Sequence, residues 1–361
     1  MFIVIVGEDG GRADEFRQAL ADFGLDWNVC WLTEAAAALA LPAARPADVL
    51  VVDMQLGGAA LLSQLRANHA SAVRVLLVDR GQDAHAMQAL DCAHRLLCKP
   101  LDAGELIEAV ESVVELRELL DNAELKQAIG HVASLPPPPR LYIDLTQLLR
   151  DPEASTAEIA EVLSQDPAVA AKVLRLSNSA YFSGGRVITD VRSAVTRLGH
   201  QTLNRLVLAS ETFGAGAASS GVDREAMQDR ALRTSKLAGR FLGGPSADLA
   251  ATAGLLAEVG LLMPGIQSHR DVESSGGPHY AEAGAYLLGL WGLPMPIVEA
   301  VANHHRPGRV RSTGFWVAGA VHVATALVAD TPLDEAYLRA VGVIDKLPQW
   351  RAMGEQLAEA A

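Results

Sequence analysis

The apolar residues of this 361-residue chain form strand-type runs between helical stretches up to about residue 100, and helical patterns alone beyond it. The runs are short, continuous and β-branched: Phe2–Val6, Val49–Val52, Val73–Val78 and the shorter Arg95–Cys98. A continuous apolar run suits a strand covered on both faces, which is the environment of a parallel sheet. Trp27–Leu32 supplies the remaining strand. Helices are expected over Arg12–Phe23, stopped by Gly24, and over Leu61–Arg66. Strands alternating with helices in this way predict a doubly wound α/β domain at the N-terminus. Ligands of such sheets gather at the carboxyl ends of the strands, where Glu8, Asp9, Asp53 and Lys99 all fall.

Carboxylates clustered at strand ends can hold magnesium through oxygen ligands. One of them can attack a phosphoryl donor while a lysine and the metal offset the charge on the transferred group. Over about residues 1–118 the constellation resembles the receiver domain of two-component response regulators. The resemblance implies a (βα)5 fold, Asp53 as phospho-acceptor, Lys99 before Pro100 as the supporting lysine, and Mg2+ on Glu8, Asp9 and Asp53. Three departures weaken phosphoryl transfer. Gly7 stands where receivers place the first of two acids. Val78, followed by Asp79, stands where they place a hydroxyl residue, and a carboxylate there repels a phosphoryl group. The loop MQLGGAALL after Asp53 is short and lacks the usual proline. Phosphorylation at Asp53 and a pseudo-receiver that works by docking are both left open.

Ala103 to about Gly130 is charged and helical, with Leu106, Val110, Val113, Leu116 and Leu120 on one stripe. Pro136–Pro139 ends it, because proline cannot continue a helix. Beyond lies an all-α region, with helices expected over Leu141–Leu149, Val191–Leu198, Thr202–Thr212, Glu225–Leu242, Ala247–Leu262, His279–Trp291, Ile297–His304 and Gly314–Ala329.

The most informative stretch is Ser155 to Phe182. Ser155 and Glu158 form a capping box that starts one helix. Asp166-Pro167 then supplies the N-cap and first position of the next. The string QDPAVAAKVLRLSNSAYF, continued by ITDVRSAVTRLGHQTLNRLVLA, resembles the signature of the HDOD family of bacterial signalling domains. The resulting domain plan is a receiver-like domain at 1–118, a connector at 119–135, an HDOD bundle at 136–345 and a tail at 346–361.

HDOD domains are relatives of the HD phosphohydrolases, whose histidine and aspartate ligands hold metals that activate water. Local resemblance places those ligand positions at Thr234, at the pair Ala257-Glu258 and at Thr325. One glutamate and two hydroxyls cannot build that site, so the resemblance implies a non-catalytic domain without a metal. His279, His304, His305 and Arg306 remain as candidate ligand or partner contacts, with His322 as a further candidate, against the simpler role of satisfying buried polar groups and helix ends. Asn178 and Ser179 read as a helix end. Arg175, Arg192, Arg197 and Arg205 read as a solvated face.

A formal charge of −13 makes nucleic acid and anionic lipid poor partners. Cys30, Cys92 and Cys98 lack metal-type spacing and read as reduced thiols of a cytoplasmic protein. No apolar run is long enough to span a bilayer. The expectation is a signalling protein that passes an input at Asp53, by phosphorylation or docking, to a helical domain acting through protein contacts. The resemblance suggests histidine kinases or cyclic-dinucleotide enzymes as partners, and a homodimer. The alternatives are a nucleotide sensor of the cyclic di-GMP type and, less favoured, a metal-dependent phosphohydrolase with an unorthodox site.

Overall fold

A computed structural model describes residues 1–8, 12–41, 46–79, 92–120, 145, 148–149, 151, 154–179, 182, 187–213, 223–263, 266, 279–310 and 314–359. Asp9, the connector beyond Leu120, the proline run and the loop 214–221 fall outside this set. The chain divides into two compact units. The first contains Met1–Ser134, Asn178–Arg186 and Leu290–Gly292, and the second contains the rest.

The first unit is organised on a five-stranded sheet: β1 (Phe2–Val6), β2 (Asn28–Leu32), β3 (Val49–Asp53), β4 (Val73–Val78) and β5 (Arg95–Cys98), in the order β2-β1-β3-β4-β5. Every pairing is parallel. β3 and β4 are buried along their whole length, and apart from Asp53 at the end of β3 and the buried Arg74 of β4 their residues are apolar, as a strand covered on both faces requires. The helices are α1 (Arg12–Asp22), α2 (Ala35–Leu39), α3 (Gly58–Asn68) and α4 (Ala103–Leu119). Gly24 adopts a positive φ of 74° after α1, the left-handed stop expected there. The Asp102 side chain accepts from Glu105 N–H at 3.0 Å and so starts α4. Leu106, Val110, Val113 and Leu116 on α4 are buried, and α4 packs on β5 and α1. Because all strands run the same way, their carboxyl ends bring Asp53, Asp79 and Lys99 to one edge.

The second unit is helical: α5 (Thr156–Ser164), α6 (Pro167–Asn178, of which Asn178 falls to the first unit), α7 (Val191–Phe213), α8 (Arg224–Phe241), α9 (Pro245–Leu256), α10 (Tyr280–Leu290, whose last residue falls to the first unit), α11 (Met295–Asn303), α12 (Val317–Ala329), α13 (Glu335–Ala340) and α14 (Leu347–Glu359). The capping box forms: Glu158 N–H donates to Ser155 Oγ at 3.2 Å, and Ser155 N–H donates to Glu158 Oε2 at 2.8 Å. Asp166 Oδ1 accepts from Ala168 and Val169 at 2.8 and 3.1 Å, while its Oδ2 accepts from Gln228 Nε2 at 2.9 Å. The corner between α5 and α6 is therefore tied to α8.

Several expectations change on contact with packing. The two helices expected either side of Gly199 form one element, α7, bent at Gly199 (φ 72°, ψ 164°). The helix expected over Ala247–Leu262 stops at Leu256, and a 3-10 turn at Val259–Leu262 follows the break at Ala257-Glu258. Arg175 is not on a solvated face: it is 2% exposed in α6, whose residues from Pro167 to Ser177 are all buried. Arg192 is exposed, and the side chain of Arg205 is not described. The segment 346–361, read as a tail, contains α14. Its Trp350 is buried with Val323 and Leu338 and lies 4.8 and 4.9 Å from the rings of Phe241 and Phe315.

Candidate functional site

The edge formed by the strand ends carries an ionic cluster. Lys99 follows β5, and its Nζ lies 2.7 Å from Asp53 Oδ1 and 3.4 Å from Asp79 Oδ1. Asp53 Oδ1 also accepts from Gln55 N–H at 2.8 Å, starting the 3-10 turn Met54–Leu56. The Gln55 side chain crosses to Asp79, donating from Nε2 to Oδ2 at 2.9 Å. The strand register fixes this arrangement. Val78 pairs with Cys98, and Lys99 N–H donates to Val78 O at 3.0 Å, so Asp79 and Lys99 leave adjacent strands side by side.

The magnesium ion implied by the receiver resemblance needs several oxygen donors. Among the described residues, Asp53 offers one buried carboxylate already engaged by Lys99 and Gln55. Glu8 is exposed, and Gly7 has only a carbonyl, which accepts from Trp31 Nε1 at 3.0 Å. No group of three or more His, Cys, Asp or Glu among the described residues is placed to hold a metal. The described donor set does not fit the ion. Asp9 lies outside it.

In the helical unit, α8, α9 and α12 pack together. They bring Thr234, Ala257, Glu258 and Thr325 into the interior, each less than a tenth exposed. What stands beside Glu258 was not legible from the residue pattern. Arg230, one turn before Thr234 on α8, donates from Nη2 to Glu258 Oε2 at 2.6 Å, and from Nε to Oε1 and Oε2 at 3.2 and 3.1 Å. A guanidinium thus meets the one carboxylate at the metal-type position. The hydrogen bonds to Glu258 raise the Arg230 pKa above its ordinary value, against the opposing effect of burial. Thr325 Oγ1 is buried with no hydrogen-bond partner among the described residues.

The histidines form a second cluster, and their partners fix their tautomers. His304 Nδ1 contacts Val301 O at 2.8 Å, and a carbonyl only accepts, so Nδ1 carries the proton. Burial, with the neighbouring His305 charge next in effect, holds the His304 pKa well below the usual range, so the ring is neutral and its Nε2 accepts. The Tyr280 hydroxyl, 3.2 Å away, is the donor to it. Tyr280 has a single proton, so its 2.6 Å contact with His305 Nε2 is donated by the imidazole. His322 Nδ1 donates to His304 O at 2.7 Å, and its Nε2 accepts from Asp334 N–H at 2.9 Å. Both nitrogens of His304 and of His322 are thus engaged internally. His279 Nδ1 accepts from Ala281 N–H at 3.2 Å at the start of α10, which leaves Nε2 protonated and buried, with no partner among the described residues. Burial lowers its pKa, and the charge of Arg306 adds to that. The ring lies 5.1 Å from His305, centroid to centroid. The structure therefore brings His279, His304 and His305 together around Tyr280, a residue sequence reasoning missed although it directly follows His279.

Comparison with known proteins gives a family match for part of the chain. The model of the HDOD domain matches residues 135–266. An uncharacterized protein of Treponema pallidum (strain Nichols) is 27% identical over 203 residues, covering 48% of this chain and 38% of the relative. The match thus spans well under half of that relative's length. Among solved structures, the MmoQ response regulator of Methylococcus capsulatus str. Bath shares 21% identity, covering 61% of this chain and 98% of that one, with a TM-score of 0.47. A virulence factor of Campylobacter jejuni subsp. jejuni shares 18%, covering 64% and 97%, with a TM-score of 0.48.

Proposed function

We propose that the chain is a cytoplasmic two-component-type signalling protein whose helical unit acts by protein contact and without catalysis. The N-terminal unit takes the input at Asp53, by phosphorylation or by docking of a partner such as a histidine kinase or another signalling enzyme. A shift in that unit then exposes or hides a binding face of the HDOD bundle. The HDOD match at 135–266 supports the output half of this reading. The strand order β2-β1-β3-β4-β5 supports a doubly wound receiver-like input half, since it is an order of doubly wound sheets with a ligand site at the carboxyl edge. The observation that carries the non-catalytic part is the Arg230–Glu258 pair. A fixed guanidinium fills the charge requirement of the one carboxylate, and Thr234, Ala257 and Thr325 bring no replacement ligand.

The test is hydrolysis of phosphomonoesters and cyclic dinucleotides by purified protein supplied with manganese, iron or magnesium. No turnover is expected. Turnover abolished by Glu258→Ala would overturn the reading and favour the metal-dependent hydrolase.

One observation favours a second reading, a nucleotide sensor of the cyclic di-GMP type. His279 holds a buried N–H donor without a partner among the described residues, and the charge of Arg306 reaches the same ring. Phosphate oxygens would take both. A thermal shift with a cyclic dinucleotide that is lost in His279→Ala would establish it, and no shift with any nucleotide would remove it.

A further inference from the structure

We infer that Asp79 closes the strand-end site to phosphoryl groups, as an internal anion that already holds the partners such a group would need. The inference rests on the receiver-like reading of the N-terminal unit and settles its input in favour of docking. Lys99 is the only cation in ion-pair contact with Asp53 among the described residues, and it is shared. The cluster of Asp53, Asp79 and Lys99 carries one net negative charge before any ligand arrives. A phosphoryl group on Asp53 would exchange one carboxylate charge for about two phosphoryl charges. It would need Lys99 and neighbouring N–H donors to offset them. Asp79 takes part of Lys99 and an N–H of the Gln55 side-chain amide. Its position is no accident of a mobile side chain: it leaves β4 beside Lys99 because Val78 and Cys98 are paired.

Position 7 offers a separate explanation for an unreactive site, and the geometry allows the two to be told apart. A Cβ built on Gly7 meets Asp53 Cβ at 3.7 Å, an ordinary contact, and Gly7 is not among the residues of positive φ. Gly7→Asp is therefore sterically admissible.

The experiment is intact-mass measurement of the full chain after incubation with acetyl phosphate and magnesium, with circular dichroism to confirm folding. The wild type stays unmodified. Asp79→Ser gains one phosphoryl group, to at least about ten times the detection limit, once the like charge is gone. The gain is absent when Asp53→Ala is added. Asp79→Asn keeps an acceptor for Gln55 but loses the charge, and its extent of modification falls between those of wild type and Asp79→Ser. It also serves should the serine variant fail to fold. Wild-type modification equal to that of Asp79→Ser would overturn the inference while sustaining the receiver reading. So would an unmodified Asp79→Ser beside a modified Gly7→Asp, which keeps Asp79 and assigns the block to the missing acid. If none of the variants reacts, the inference fails, and the receiver-like unit keeps only its docking role.

Discussion

The two units solve the same electrostatic problem with different stoichiometry. In each, a mostly buried carboxylate lies at a position the resemblances associate with chemistry, and in each the chain supplies its own cation. In the helical unit one guanidinium serves one carboxylate, through both oxygens of Glu258. In the sheet unit one ammonium serves two, with Asp53 at 2.7 Å and Asp79 at 3.4 Å. Arginine's planar fork is pre-organised for a single carboxylate, whereas lysine is a compact point charge that can be divided. The helical pair is therefore closed and neutral. The sheet cluster keeps a surplus negative charge and a cation that can be redistributed between its two anions. A closed pair suits a structural joint, and a divided one suits a site whose balance a partner can tip.

The largest effect that would break this comparison is the loss of Arg230. Arg230→Ala leaves Glu258 interior and without its cation, and the expected cost is about 2–4 kcal/mol, trimmed from the full value for a buried pair because Arg230 keeps some solvent contact. Removing both partners, as Arg230→Met with Glu258→Leu, should restore more than half of the loss, since no uncompensated charge remains. Hydrogen exchange of the α8 and α9 amides reads the effect in the helical unit itself. A loss within about 0.5 kcal/mol would show the pair to be a solvent-screened surface contact, and the contrast between the units would disappear.

Acid should separate the charged cluster from the histidine cluster. Burial lowers the folded-state pKa of His304, His322 and His279, so below the ordinary value of about 6.5 the unfolded chain binds more protons than the folded one. Stability contributed by these neutral rings is whole above that pH and is lost as the pH falls toward the folded values. His69 in the sheet unit shifts the same way by burial alone. The unfolding temperature should fall between pH 7.5 and 5.5, and fall less in His304→Gln. Exchange at α10 and α11 should rise first. A helical unit whose protection is unchanged over this range would mean that the rings are not neutral in the folded state.

How much of this was legible depended on whether the signal was local. The strands were, because β-branched runs report burial on both faces without a partner being known. The corner at Asp166-Pro167 was, because a cap and a proline act on their own neighbours. The position of Lys99 beside Asp53 followed from parallel strand ends. What escaped needed distant partners. Glu258 reads alone in sequence, and only the packing of α8 on α9 brings Arg230 to it. Asp79 was read as a repulsive residue, but not as one already paired with Lys99 and Gln55. α14 had a legible spacing, with Leu347, Trp350, Met353 and Leu357 recurring at helical intervals, and the reading of 346–361 as a tail passed over it. Arg175 misled for the opposite reason: a lone arginine suggests solvent, and here tertiary packing overrides that prior.

The smallest effect sharpens the other side of the comparison. Lys99→Met leaves Asp53 and Asp79 facing one another, yet the expected cost is only about 1–2 kcal/mol, below that of Arg230→Ala, because the more exposed carboxylate can turn to water. Asp79 keeps about a third of its side-chain surface exposed and Asp53 retains Gln55 N–H, whereas Glu258 has neither release to the same degree. Adding Asp79→Asn to Lys99→Met should recover part of that loss, since it removes the like charge that lysine had offset. The same substitution in the wild-type background should be close to neutral, because Lys99 then serves Asp53 alone. A gain in the Lys99→Met background that is absent from the wild type is the signature of a shared cation. If Asp79→Asn has the same effect in both, Lys99 belongs to Asp53 only, and the strand-end cluster is a simple pair like the one in the helical unit.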